Sequence, residues 1–448
     1  MIRGIGVAAC VASIFLAGSQ AAMEAQQAGA AKHKVVVISL DAFGAESLHD
    51  PHLPAPTLHA LMHSGSYATA MRPINPTVTW PNHTAMITGV NASRHHVVVN
   101  GLIVNQRTDT APKIEPHTPK SELVAVPTVY DAAHQAGLTT AEVDWVAIEK
   151  ADGITWRFTE YGDPDGPIGQ DLVEKGDLTH DDLTHFGKPS QSWRDRIYTL
   201  AATDIIRKHH PDLMLLHLLA LDSIEHQTGF GNNSDINTIA FLDDRVRDVI
   251  EAVREAGDLP NTTFLVVSDH GQMSVHHHLD ANALLKQAKM QGSVATNPTF
   301  AIPEGGYTLI YQKHATPAST AELKALFQGK PGVREALTPA EAAKVGWPTP
   351  AETNQAPDLL VYAENGFAFS GNSSGEFVTD TKETGAHGYP NTEPLMKEIF
   401  IASGAGIASK GEIPEFDNID VAPTIARLLG VTLTNVDGKA LEAILSGR

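Results

Sequence analysis

Short apolar runs that stop at an acidic residue recur along this chain. KVVVISLDAFG (34–44), DLMLLHLLALD (212–222) and TTFLVVSDHG (262–271) each carry an aliphatic or β-branched stretch and then Asp41, Asp222 or Asp269. Runs without polar alternation are the pattern of strands buried on both faces of a parallel sheet. In such sheets functional groups gather beyond the carboxyl ends of the strands. PDLLVYA (357–363) and EIFIASG (398–404) predict further strands. Between the strands, SWRDRIYTLAATDIIRKHH (192–210) and INTIAFLDDRVRDVIEAVREAG (236–257) place apolar residues three and four apart, the spacing of a helix with one buried face. IDVAPTIARLLG (419–430) predicts a closing helix. Strands alternating with helices predict an α/β fold, a doubly wound and mostly parallel sheet flanked by helices.

Two stretches depart from that rhythm. Residues 160–190 are rich in Gly, Asp and Pro and predict a long surface loop. Residues 284–384 separate two blocks of motifs and contain GYTLIYQK, a helical STAELKALFQG and PDLLVYA, which predicts a small inserted α/β subdomain. The amino terminus, MIRGIGVAACVASIFLAGSQAAMEAQQ, sets Arg3 before an apolar run that ends near Leu16, followed by the small residues Ser19 and Ala21. This is the pattern of a secretory signal over residues 1–22. The run is shorter than the roughly 20 apolar residues of a membrane span, so no stable membrane insertion is expected after cleavage. Residues 23–32 then read as a linker, and 33–448 as one catalytic domain.

Composition narrows the chemistry. The sole cysteine, Cys10, lies in the expected leader. The mature chain would therefore have no disulfide, no thiolate nucleophile and no cysteine zinc site, which fits a periplasmic or secreted location. The 52 acidic against 32 basic residues give a net charge of −20, spread along the sequence. That balance argues against a nucleic-acid-coating surface. It does not exclude an anionic substrate, because bound cations can reverse a local field.

If the strand ends share one sheet edge, Asp41, Asp222 and Asp269 converge. His226 follows Asp222 by four residues, one helical turn on. His270 adjoins Asp269, and His387 sits in the glycine-flanked TGAHGYPN (384–391). Carboxylates with imidazoles and no thiolate form a ligand set for zinc and related divalent ions. A single Asp after a strand is commonly a helix cap or turn residue; the joint pattern is what points to a metal centre. NPTVTWPNHTAMITG (75–89) adds a threonine-rich turn.

Here the chain resembles the nucleotide pyrophosphatase/phosphodiesterase family (type I phosphodiesterases) of the alkaline phosphatase superfamily. LDAFG, TVTWPNHTAMITG, VVVNG, LDSIEHQTG, VVSDHGQ and GAHGYPN occur in family order between about residues 34 and 391, and TWPNH is the most specific of them. The resemblance implies a metal-dependent hydrolase of phosphoric diester or pyrophosphate bonds with two Zn2+ per chain. It implies that Thr79 is the nucleophile, that Asp41, Asp269 and His270 form one zinc site shared with the Thr79 oxygen, and that Asp222, His226 and His387 form the second. Asn100 matches the asparagine that binds a phosphoryl oxygen, and Trp80 the aromatic position that can stack on a substrate base. A small-molecule phosphodiester or nucleotide is the implied substrate.

Several positions depart from the family pattern. Glu225 replaces the Gly usual before the second-site histidine, His217 a tyrosine five residues before Asp222, Ala42 the Gly after the first Asp, and Gly101 the second of an Asn pair. The ligands and nucleophile are intact, while nucleotide specificity is open. A metal-dependent phosphomonoesterase or phosphonate hydrolase on the same scaffold is the nearest rival. A secreted binding protein without catalysis is the rival from another class. The neutral Asn100 favours the singly charged phosphorus of a diester. Asn82 and His83 are expected to hold the nucleophile turn and cap the following helix, Arg94 to be a loop residue, and the histidines of VHHHLD (275–280) to form an exposed turn.

Overall fold

The computed structural model describes residues 32–291, 295–371 and 375–446. The expected leader and, apart from Lys32, the expected linker lie outside the described residues. Six strands of the central sheet come first: β1 (Lys34–Leu40), β2 (Ser66–Ala68), β3 (Thr140–Val143), β4 (Trp156–Phe158), β5 (Leu213–Leu218) and β6 (Thr262–Val267). The chain then builds β7 (Met273–Leu279), β8 (Thr299–Glu304), β9 (Tyr307–Gln312), β10 (Val333–Leu337), β11 (Leu359–Ala363), β12 (Phe367–Phe369) and β13 (Val378–Ala386). It returns with β14 (Phe400–Gly404) and β15 (Gly411–Ile413).

The central sheet has eight strands in the order β15-β2-β14-β6-β1-β5-β3-β4. From β6 to β4 all neighbours are parallel, and β14 runs antiparallel to β6 and β2. β7 lies between β12 and β13 in a three-stranded sheet, and β8-β9-β11-β10 form a four-stranded one. The expected strand at 357–363 is thus an antiparallel member of a small sheet, and that at 398–404 the antiparallel member of the large one.

Seven helices matter for the site: α1 (Pro56–Ser64), α2 (Thr79–Thr88), α3 (Val129–Gln135), α4 (Gln191–His209), α5 (Ala220–Thr228), α6 (Asn233–Glu255) and α7 (Val421–Leu429). Period-2 alternation along the strands sorts the core into two layers. Val36, Ile38 and Leu40 of β1 pack with α1, α4 and α6 on one face. Val35 and Val37 pack with Met86 and Ile87 of α2, with α3 and with α7 on the other. Both faces of β1 are therefore covered, which is why its run has no polar alternation.

Register places the acids. Ser39 pairs with Val267 of β6, so Asp41 and Asp269, two residues further on, are level at the same sheet edge. Asp222 differs from its expected place at a strand end. β5 stops at Leu218, and Asp222 is the third residue of α5. The carboxyl of Asp195, on α4, accepts from the N–H groups of Leu219 (3.2 Å) and Ala220 (2.7 Å), starting the new helix early.

The expected loop over 160–190 is also corrected. It contains helices Pro167–Glu174 and His180–Thr184, whose Ile168, Leu172, Leu183 and the nearby Phe186 are buried in the first core layer. Thr179 and Asp182 form a reciprocal capping box, and Pro167 stands at the first helical position. Each is a local helix signal that the Gly and Asp content obscured.

Candidate active site

Asp41 follows β1, and Asp269 and His270 follow β6; all three are fully buried. Ala42 has φ 63, a left-handed conformation that costs a residue with a Cβ roughly 1–2 kcal/mol. That turn aims the Ala42 N–H at Oδ1 of Asp269 (3.2 Å). The Oδ2 atom of Asp41 meets Nε2 of His217 at 2.9 Å. This leaves Oδ1 of Asp41 and Oδ2 of Asp269 buried with no hydrogen bond. Each lies 3.4 Å from Nε2 of His270. Nδ1 of His270 is 3.1 Å from the Gly271 carbonyl, an acceptor that places the ring proton on Nδ1. Nε2 then points its lone pair into the space that the two carboxylate oxygens also face, and Oγ1 of Thr79 lies 3.3 Å from the same nitrogen.

A second group stands beside it. His226 and Asp222 are one turn apart on α5, with Nε2 to Oδ1 at 3.2 Å. His387, just past β13, brings its Nε2 to 3.9 Å from the same oxygen. Here too each Nδ1 faces a backbone carbonyl, Gly385 for His226 (3.0 Å) and Thr77 for His387 (3.1 Å). Three imidazoles thus turn Nε2 toward the carboxylates with Nδ1 anchored, the arrangement of histidines that ligate metals. Ligand atoms of Asp222, His226 and His387 lie within 4.8 Å of one another, as do those of Asp41, Asp222 and His270. Asp222 belongs to both groups, and the His270 and His387 rings stack at 3.9 Å. Gly385 is required where β13 passes α5, because a Cβ there would stand 2.4 Å from the Glu225 carbonyl.

The electrostatics describe crowded, buried acids with His226 beside them. Burial and the charges of Asp269 and Asp222 raise Asp41 well above the usual carboxylate range. Burial, offset by His83 and reinforced by Asp222, pushes Asp269 to about 6. Burial lowers His270 to about 4 and takes His387 well below the usual range, with the neighbouring His270 and His226 adding to it. The Asp222 carboxylate raises His226 to about 9. Burial of Asp222 opposes ionisation, yet His226, His387 and His270 together hold it below its ordinary value. Unpartnered carboxylate oxygens opposite imidazole lone pairs are the donor set of a divalent cation, and the ligand atoms fall into two candidate groups that share Asp222.

Thr79 is the first residue of α2 and is 7% exposed, which leaves its oxygen at the rim of the cluster. Asn82 fixes the turn: its side chain accepts from the N–H of Ile74 (2.8 Å) and donates to the carbonyls of Pro76 and Val78 (2.9 Å each). His83 bonds the Thr79 carbonyl through Nδ1 at 2.9 Å. Both residues sit inside the helix that Thr79 begins and do not cap a later one. Thr77 donates to the Tyr389 carbonyl, and Thr84 and Thr88 to carbonyls one turn back. Oδ1 of Asn100 accepts the Trp80 N–H at 2.9 Å, so the Asn100 NH2 faces away from that bond, free to donate. Arg94 pairs with Asp437 in a half-exposed contact. His277 pairs with Asp380, and among the described residues the 276–278 histidines join no metal-binding group.

A cavity of about 280 Å³ opens beside Trp80, walled by Trp145 and Tyr161 and carrying Glu142, Glu160 and Arg157. Glu142 is pushed to about 8 and Glu160 is raised, in both cases chiefly by burial. Sequence reasoning missed these acids. The available signal was Glu142 in the short strand TAEV, where a buried charge needs a reason.

The fold and the edge cluster define an alkaline phosphatase-like α/β protein. The chain belongs to the family of type I phosphodiesterases and nucleotide pyrophosphatases, whose sequence model matches residues 35–390. It is 25% identical over 404 residues to ectonucleotide pyrophosphatase/phosphodiesterase family member 1 of Mus musculus, covering 88% of this chain and 40% of that protein. It is 23% identical over 448 residues to family member 7 of Homo sapiens, covering 98% and 88%. The chain thus spans well under half of the first relative and most of the second. Murine ectonucleotide pyrophosphatase/phosphodiesterase 5 has the same fold, with a TM-score of 0.71 at 18% identity, covering 92% of this chain and all of that one. A second structure of that murine protein, a threonine-to-alanine form described as inactive and in complex with AMP, also has a TM-score of 0.71 at 18% identity. It covers 93% of this chain and all of that one.

Proposed function

We propose that this chain is an exported two-metal phosphodiesterase that cleaves phosphoric diester or pyrophosphate bonds through a covalent phospho-threonine at Thr79. The observation that carries the reading is the Thr79 Oγ1, 3.3 Å from Nε2 of His270 at the meeting point of unpartnered carboxylate oxygens. Asp41, Asp269 and His270 would hold one divalent ion, zinc by donor type, and Asp222, His226 and His387 the other. When bound, the pair supplies positive charge at the attacking and leaving oxygens of an in-line displacement. The murine relative described as inactive after a threonine-to-alanine change is consistent with a threonine nucleophile.

The chain's own residues account for the rest. The first turn of α2 holds the Thr79 oxygen toward His270, and Asn82 keeps that turn in place. The Thr79 hydroxyl gives up its proton to solvent and its oxygen attacks phosphorus; the bond to the leaving oxygen breaks, and that oxygen departs with the bonding pair. Water then attacks the phosphorus of the phospho-threonine, the bond to the Thr79 oxygen breaks, a water proton restores the Thr79 hydroxyl, and the phosphoryl group leaves carrying the water oxygen. The Asn100 NH2 and the Thr79 N–H, which has no partner within α2, would donate to the non-bridging oxygens. Arg94 is held by Asp437, and a neutral amide suits a singly charged diester better than a monoester.

The test is purified, zinc-loaded protein with bis(4-nitrophenyl) phosphate against 4-nitrophenyl phosphate. We expect the diester to be favoured by about 100-fold or more in kcat/KM, the size of effect a mismatched charge at a buried site gives. Monoester preference would overturn the reading in favour of a phosphomonoesterase.

The cavity beside Trp80 bears on the organic part of the substrate. Its acidic residues, Glu142, Glu149, Glu160 and Asp163, and its basic ones, Lys150 and Arg157, lie among the aromatic side chains of Trp80, Trp145 and Tyr161. Those aromatic faces favour a neutral or cationic group over a second anion. 4-Nitrophenyl phosphorylcholine is therefore expected to exceed the 4-nitrophenyl ester of thymidine 5′-monophosphate by about 10-fold in kcat/KM. Faster turnover of the thymidine ester would show that a nucleoside occupies the cavity.

A further inference from the structure

His217 interrupts an otherwise aliphatic strand. Leu213, Leu215 and His217 of β5 point to the same face of the sheet, and the two leucines enter the second core layer. His217 is fully buried on that same face. A buried imidazole in such a place is retained for its hydrogen bonds. Nε2 is 2.9 Å from Oδ2 of Asp41, and Nδ1 is 3.1 Å from the Asp144 carbonyl. The single N–H of a neutral imidazole goes to the stronger acceptor, the Asp41 carboxylate, so Nε2 is the donor. The Asp144 backbone is fixed in turn: its N–H donates to the Phe158 carbonyl on β4 (3.0 Å), and its φ of 58 turns the chain out of β3. The His217 ring also lies 4.3 Å from that of His83, whose Nδ1 is bonded to the Thr79 carbonyl. The imidazole is therefore enclosed on the side away from the site and offers one N–H toward it.

That contact selects between the two oxygens of Asp41. Oδ2 is taken by His217, and Oδ1 is left without a hydrogen bond, facing Nε2 of His270. We propose that His217 is a positioning residue for the metal centre: it occupies Oδ2 of Asp41 so that the carboxylate presents Oδ1 alone to the ion shared with Asp269, His270 and Thr79. Without a partner at Oδ2, the carboxylate would be free to rotate or to offer both oxygens. The ion would shift from the Thr79 oxygen, and affinity at this site would fall. Outer-sphere partners of metal ligands typically contribute about 10–100-fold in affinity or activity. The inference rests on the two-metal reading above.

The test compares His217→Gln, which retains a side-chain N–H2 able to reach Asp41, with His217→Met, which fills similar space with no donor. Zinc affinity is measured by competition with a chromophoric chelator on the full-length protein, alongside melting of the metal-free form. His217→Met is expected to weaken one of two zinc equivalents by about 10–100-fold and leave the other in place, with His217→Gln recovering most of the loss. At saturating zinc, kcat should fall in His217→Met with KM little changed, because the ion is misplaced rather than the substrate. If His217→Met does not fold, His217→Gln and His217→Asn, which differ in reach, make the same comparison. Equal zinc affinity in donor and donor-free variants would overturn the inference and leave His217 as core filling. Wild-type protein that bound no zinc would instead overturn the metal-centre reading on which it rests.

Discussion

Thr79→Ala is expected to abolish turnover of bis(4-nitrophenyl) phosphate, lowering kcat by on the order of 10⁴-fold or more while zinc stays bound. The size follows from the role. Removing a nucleophile that acts as one unit with its activating groups costs nearly the whole of their joint effect, and only binding and fixed charge remain. The structural cost should be slight. Thr79 lies at the edge of the cluster, its side chain makes no capping bond, and Ala suits the first turn of a helix. Melting and zinc content of the variant should therefore match wild type. Acid-quenched wild type given a ³²P-labelled diester should carry label on Thr79, and the variant none. A Thr79→Ala protein with undiminished turnover would remove the phospho-threonine from the mechanism. A wild-type protein that turned over no ester, yet bound phosphate esters as well as its Thr79→Ala form, would mark the chain as a binding protein.

Asp41, Asp269 and His270 were legible in the sequence because their signal is local. A two-sided apolar run names the strand, its end names the sheet edge, and parallel register does the rest. Asp222 was found at the correct edge but in the wrong element. Nothing in LALDSIEHQ states that α4 would supply Asp195 to begin a helix at Ala220. The i,i+4 spacing to His226 held because it depends on the helix alone. His387 arrives on a strand of a different sheet, and its place beside Asp222 is set by long-range packing of β13 against α5, which no local pattern encodes. The same holds for His217 and for the acids of the cavity. Each is one polar residue in an apolar or mixed segment, and its purpose is visible only once Asp41 or Trp80 is seen across from it. The stretch 160–190 was misread for the opposite reason. Its glycines and acids are turn-forming on average, while the apolar residues that dock it are spaced irregularly across two short helices.

Removing zinc is expected to abolish activity and to change how stability depends on pH. In the metal-free protein Asp269 titrates near 6 rather than at its ordinary 3.8, and Asp41 is displaced upward too. Between those values the folded state keeps protons that the unfolded chain has released. Stability from this source is present below about pH 4 and is lost as pH rises through 6, an effect on the order of 2–3 kcal/mol for Asp269. Bound zinc needs the carboxylates ionised, so it competes with those protons and its stabilisation grows over the same interval. The difference in melting temperature between zinc-loaded and metal-free protein should therefore widen from pH 5 to pH 8. Dipicolinate treatment should reduce diester turnover to background, with recovery as two equivalents of zinc are returned. Asp222→Ala and His226→Ala should each weaken one equivalent, Asp222→Ala the more strongly, because its carboxylate also lies close to ligand atoms of Asp41 and His270. A melting difference that did not change with pH would show that the crowded carboxylates are not the zinc ligands. Undiminished activity in protein shown by elemental analysis to be free of metal would remove the ions from catalysis altogether.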